Sequence, residues 1–120
     1  MTPLVFVLVI AAGGLGAAAR FFLDGLISAR TRSVFPYGIY LVNFSGSFLL
    51  GLATSLAADE ALTVIGGGLL GGYTTFSTTS VDTIRLVENH HYRAAAVNSL
   101  GALATCTFAA VFGLLLGTST

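Results

Sequence analysis

Apolar residues fill four long stretches of the chain, and charged residues mark the gaps between them. Residues 1–19, 33–58, 61–81 and 94–120 hold no Asp, Glu, Lys or Arg. Each stretch is close to the ~20 residues with which an α-helix crosses a hydrocarbon core. The charges collect between them: Arg20, Asp24, Arg30 and Arg32 after the first, Asp59 and Glu60 after the second, and Asp82, Arg85, Glu88 and Arg93 after the third. Period-two alternation is not apparent and the stretches are rich in Gly, Ala, Ser and Thr, a pattern of helical bundles and not of barrels. We therefore expect an all-α membrane protein, one domain over residues 1–120, with four transmembrane helices near 3–23, 36–57, 62–88 and 93–116. Pro3 and Pro36 stand where a first helical turn tolerates proline.

Composition narrows the class further. The chain has 120 residues, 55% of them hydrophobic and 8% charged, with net charge zero; an ordinary soluble domain is about 25% charged. A nucleic-acid partner is excluded, because counterion release needs a positive excess, and so is disorder, which needs low hydrophobicity with high net charge. The start Met1 to Phe6 lacks the positive region of a secretory signal, so the first stretch is expected to remain as a helix. The single Cys106 lies in the last apolar stretch and reads as a small hydrophobe. All five basic residues, Arg20, Arg30, Arg32, Arg85 and Arg93, fall at or near the first and third connections. Positive residues in short loops stay cytoplasmic, so both termini are expected outside, in a multi-pass protein of the cell (plasma) membrane with lipid as its surroundings.

The candidate chemistry sits inside the spans. The third reads Gly66-Gly67-Gly68-Leu69-Leu70-Gly71-Gly72-Tyr73-Thr74-Thr75-Phe76-Ser77-Thr78-Thr79-Ser80 at its centre. Glycine costs up to ~1 kcal/mol per residue against Ala in a helix. Gly66 to Gly68 suit either close helix packing or an irregular segment, and a break is expected near 71–76, where freed carbonyls face a cation or a half-helix N-terminus faces an anion. Asn43 in the second span and Asn98 in the fourth are either interhelical glue or amide donors on an aqueous path. Arg20, placed at the end of the first helix, is expected to snorkel or to bond a helix C-terminal carbonyl. Arg85 stands three residues from both Asp82 and Glu88, the spacing of local helix pairs. No span carries a His, Lys or carboxylate near its centre, which argues against a hydrolase and against proton-coupled export. Passive movement or a structural role is left.

At these residues the sequence resembles the Fluc (CrcB) family of small fluoride channels. Gly13-Gly14-Leu15-Gly16 with Arg20 is similar to the first-helix motif, Pro36-Tyr37-Gly38 through Asn43 and Gly46 to Gly51 to the second, and Gly71-Gly72-Tyr73-Thr74-Thr75-Phe76-Ser77-Thr78 to the family signature. The resemblance implies an antiparallel dimer of four-helix subunits with two pores that let fluoride leave the cytoplasm passively. It also implies a central structural sodium ion, not transported, on carbonyls at Gly71 and Thr74. Asn43 and the ring edge of Phe76 would contact fluoride, with Thr79, Ser80 and Asn98 along the same ion pathway. Arg20 and Asp82 would hold structural positions.

Two positions depart from the family pattern: Thr79 stands where a second Phe is usual, and Ile39 where a Thr is usual. Five arginines on one side also oppose dual insertion of one sequence. We accordingly expect one half of a heterodimer with a homologous subunit of reversed bias, with self-pairing as the other arrangement. Two further functions stay open here, a non-conducting assembly or regulatory subunit and a small multidrug exporter. The exporter pattern has a central acidic residue in the first helix, and residues 4–19 contain none.

Overall fold

The computed structural model describes residues 2–31, 35–57 and 59–119. Helix α1 spans Pro3–Thr31. Its start is set by Thr2, whose Oγ1 accepts the Val5 N–H at 3.2 Å, with Pro3 in the first turn where its missing N–H is not needed. The helix runs eight residues beyond the expected boundary at 23. At 1.5 Å per residue it is about 43 Å long, more than the ~30 Å hydrocarbon core, so Arg20 lies within the helix and not at its end. Helix α2 spans Tyr37–Leu56, entered through Pro36 and left at an extended Ala57.

The third segment is bent. We label residues 59–73 α3; it comprises Asp59–Leu62, a wide π-helical stretch Thr63–Leu70, and a last turn Gly71–Tyr73. In the wide stretch the Gly71 N–H reaches back to the Gly66 carbonyl. The chain then turns extended at Thr74, with φ −83° and ψ 158°, and helix α4 resumes over Ser77–Glu88. The interruption therefore falls on residues 74–76, while Gly71 to Tyr73 stay helical. Helix α4 ends with His90 at φ 62°, where the His91 N–H bonds the Leu86 carbonyl and the His90 N–H the Val87 carbonyl. These are the two bonds of a Schellman stop, usually built on glycine. The last helix, α5, spans Tyr92–Thr118 and is wide over Val97–Gly101.

Two helix pairs build the bundle, α1 against α3 and α2 against α5, and glycine lets each backbone approach the other. A Cβ on Gly16 would meet the Leu69 carbonyl and the Tyr73 nitrogen, one on Gly72 the Gly13 carbonyl, and one on Gly68 the Val9 carbonyl. Across the second pair, Gly51 faces the Ala110 carbonyl and Gly113 the Phe48 carbonyl. Small-residue seams of this kind associate helices where apolar burial against lipid gives no driving force. Gly66 and Gly68 thus serve packing, whereas nothing stands within 4 Å of a Cβ on Gly67.

Among the described residues α1, α2 and α5 are long and apolar enough to cross a membrane, with mean hydropathy of 2.1, 1.5 and 2.0. The molecule measures 48 × 31 × 23 Å, and its long axis is of the order of a bilayer with its headgroups, about 40–45 Å. Large side chains such as Leu15, Phe21, Phe22, Leu103 and Phe108 are exposed. In a multi-pass membrane protein that surface meets lipid.

Candidate functional site

The site is the break between α3 and α4, and one side chain from α2 holds it. Asn43 gives its Nδ2 to the Thr75 carbonyl at 2.8 Å and to Thr79 Oγ1 at 2.9 Å. Its Oδ1 accepts the Thr75 N–H at 2.8 Å. An Asn amide has two N–H donors, and both are used here on groups of the break. Thr75, which follows the extended Thr74 and has no helical bonds of its own, has both its N–H and its carbonyl bonded by Asn43. Thr75 Oγ1 in turn accepts the Thr78 N–H at 3.2 Å and so satisfies one of the open donors at the start of α4.

A second Asn extends the network. Asn98 is 1% exposed, and its Nδ2 donates to the Thr79 carbonyl at 3.3 Å and to Thr83 Oγ1 at 2.9 Å. Thr79 thereby joins the two: its hydroxyl receives Asn43 and its carbonyl receives Asn98, while its own proton goes to the Thr75 carbonyl at 3.2 Å. On the α3 side, Arg20 Nη1 donates to the Thr74 carbonyl at 3.4 Å. Tyr73 Oη pairs with Ser45 Oγ at 2.9 Å, and Gly46 lies against Thr74 and the Tyr73 ring so closely that any side chain would displace them.

Beside this network α2, the break and α5 enclose a recess of about 290 Å³. Asn43, Thr74, Thr75, Phe76 and Thr79 line one side and Ser47, Ser99 and Cys106 contribute from α2 and α5. Its polar groups are neutral amides and hydroxyls; no charged side chain lines it. Phe76 is 85% exposed, so its ring stands at the open side of the recess.

The structure thus brings Asn43, Thr74, Phe76 and Thr79 together. Asn98 sits behind the recess wall, and Ser80 turns back to bond the Phe76 carbonyl at 3.0 Å. Gly71 is exposed on the last turn of α3, and Ile39 is buried, 4% exposed. Asp82 is half-buried on α4, within electrostatic range of Arg85 and Asp24. Thr75 was not singled out from sequence as a site residue, although a Thr placed just before a helical pattern is a start signal. Among the described residues no group of three or more His, Cys, Asp or Glu is placed to hold a metal. At the break itself the oxygen donors are backbone carbonyls. The Thr75 N–H that would close on the Gly71 carbonyl goes to Asn43 instead, and among the described residues the Thr74 carbonyl receives only the long bond from Arg20.

A bundle of apolar, glycine-seamed helices around one interrupted helix, with a mostly apolar recess that carries uncharged polar groups at the interruption, defines a multi-pass membrane protein of transport type. Residues 7–114 match the family described as CrcB-like protein, Camphor Resistance (CrcB), and the chain belongs to that family. It is 46% identical over 122 residues to Fluoride-specific ion channel FluC 1 of Leifsonia xyli subsp. xyli, covering 98% of this chain and 89% of that one. It is 41% identical over 112 residues to FluC 2 of Cutibacterium acnes, covering 88% and 91%, and 48% over 99 residues to FluC 2 of Haloarcula marismortui, covering 81% and 80%. All three relatives carry the name of an ion channel, a class of protein that is not an enzyme.

Proposed function

We propose that the chain is a fluoride channel subunit of the plasma membrane, through which fluoride leaves the cytoplasm by electrodiffusion. The observation that carries this is the Asn43 clamp on the broken helix, which fixes a recess of mostly apolar surface whose few polar groups are uncharged, with the Phe76 ring exposed beside it. A phenyl edge is the positive end of the ring quadrupole, and hydroxyl dipoles replace water around a small anion without holding it as a fixed positive charge would. The relatives' names supply the ion.

The finer architecture belongs to the same proposal. Counting the bent α3–α4 segment as a span gives four, and two subunits pack antiparallel. In support, only 17–22% of the apolar windows of α1, α2 and α5 is buried within one chain, and the recess is open where Phe76 projects. A structural sodium ion would sit on the Gly71 and Thr74 carbonyls, which fit it as neutral oxygen donors freed from helical bonding. It would neutralise the partial negative charge of these oxygens. One chain offers too few of them for a full shell, so a second subunit would complete it.

Pairing with a homologous subunit, not with itself, is favoured by Thr79, whose hydroxyl already occupies one Asn43 donor. Fluoride efflux from liposomes, followed with a fluoride electrode, tests the function. The chain reconstituted with a homologue of reversed charge bias should pass fluoride and exclude chloride, and Phe76→Ile should slow it at least tenfold. No efflux from the pair would overturn the channel reading. Equal efflux from the chain alone would overturn the heterodimer only.

A further inference from the structure

A second cavity lies at one end of the bundle, away from the break. It is a groove of about 790 Å³ between the N-terminal turns of α2 and α5, lined mostly by apolar surface, within the size range of ligand sites. Three of the chain's four tyrosines line it, Tyr37, Tyr40 and Tyr92, together with Phe35. The rings form a connected wall: Phe35 lies 4.8 Å from Tyr37 and 5.5 Å from Tyr40, centroid to centroid. His90, His91 and Arg93 complete the rim, and no carboxylate does. Leu41 and Val97 continue it as an apolar surface along α2 and α5.

We propose that this groove holds the headgroup of an anionic phospholipid, its acyl chains running along Leu41 and Val97. Three features favour that occupant. Tyrosines gather at the level of lipid headgroups, where an amphipathic ring suits both phases. The Arg93 guanidinium makes no hydrogen bond or ion pair to any described residue, which leaves its fork free for a phosphate oxygen. The groove also joins residues of the first and third connections, the arginine-bearing side on which anionic lipid concentrates. Its chemistry is amphipathic in the order a lipid requires, cationic at the rim and apolar below. His90 contributes a polar ring fixed by its Nδ1 contact to Tyr92 Oη at 2.9 Å, in the left-handed conformation that ends α4. The site is independent of the permeant ion.

Native mass spectrometry of the full chain tests this, with the protein purified in detergent and titrated with phosphatidylglycerol or phosphatidylcholine of the same acyl chains. Phosphatidylglycerol should be retained preferentially. Arg93→Gln should weaken that retention about fivefold, the factor that one basic residue is worth beside anionic lipid, and Arg93→Lys should restore most of it. Val97→Trp, which fills the apolar part of the groove, should reduce retention of phosphatidylglycerol with the rim charge intact. Equal retention of the two lipids, unchanged retention in both Arg93→Gln and Val97→Trp, or displacement of the lipid by millimolar inorganic phosphate would overturn the proposal. So would a groove found closed by a second subunit.

Discussion

Asn43 carries three hydrogen bonds across to the interrupted helix, two to Thr75 in the break and one to Thr79 in the first turn of α4. Removing Thr79's hydroxyl tests one arm of that clamp together with the hydroxyl's own bond to the Thr75 carbonyl. Thr79→Val keeps the shape of the side chain but leaves one Asn43 N–H without an acceptor and deletes that second bond, a loss of about 1–2 kcal/mol. Asn43→Leu strands the Thr75 N–H and takes one of two donors from the Thr75 carbonyl, which keeps the Thr79 hydroxyl, so its loss should be about 2–3 kcal/mol. Thermal unfolding in detergent should rank the variants in that order, wild type above Thr79→Val above Asn43→Leu. His90 makes the opposite prediction. A non-glycine residue at positive φ costs about 1 kcal/mol or more, so His90→Gly should raise the unfolding midpoint.

The sequence marked Asn43 and Asn98 as polar residues in apolar helices, yet left glue and anion donor level as readings. Within one chain both Nδ2 groups bond the chain's own carbonyls and hydroxyls, the contacts that interhelical glue requires. Such pairing depends on the register of three helices, which residue spacing along one helix does not encode.

At the scale of helices, glycine has two distinct tasks that look alike in sequence. Gly16 and Gly14 are two residues apart on α1, but they face opposite ways. A Cβ on Gly16 meets backbone atoms, with the Tyr73 nitrogen 2.8 Å away, whereas Gly14 has nothing within 4 Å. Backbone cannot rotate aside as a side chain does. Gly16→Val should therefore separate α1 from α3, lowering the unfolding midpoint and shifting the Arg20 contact with Thr74. Gly14→Ala should gain about 1 kcal/mol of helix propensity in the isolated subunit. If dimer formation weakens in Gly14→Ala while subunit stability rises, Gly14 lies under the partner.

Element boundaries were legible where apolar stretches ended at proline or charge, as at Tyr37 after Pro36. They were not legible at Arg20, because residues 20–31 keep helical bonding past the first charge, as in the Thr31 hydroxyl bond to the Ile27 carbonyl at 3.0 Å. A charge interrupts an apolar stretch; it does not show where the helix stops. The break was legible as to region from the Gly and Thr run, but its placement on Thr74 to Phe76 follows from Gly46 and Asn43 on a different helix. The wide turns over Thr63–Leu70 had no sequence signal beyond the glycines themselves.

At the scale of the whole molecule, charge decides how the chain lies in the membrane. Phe35 and Tyr37 line the same groove as His90 to Arg93, so the first and third connections share one end. Arg30 in the last turn of α1 and Arg93 in the first turn of α5 stand at that end. Arg20 is drawn inward to the Thr74 carbonyl and counts for less as a loop charge, while Arg32 lies outside the described residues. The bias survives this discount, because the opposite end has only Asp59 and Glu60 near it and acidic residues weigh little in topology. Both termini should then be outside. Alkaline phosphatase fused after Thr120 should be active and a fluorescent-protein fusion dark; a bright cytoplasmic fusion would refute the assignment. The same rule predicts a second result. Thr118→Arg with Ser119→Arg places two positive charges at the outer end, and added C-terminal charge can invert a small bundle. A fraction of that variant should insert the other way round, and only such a mixture would let the chain form an antiparallel pair with itself. Fluoride efflux that appears in the double-arginine variant alone, in liposomes made from cell membranes without any homologue, would tie orientation to pore assembly.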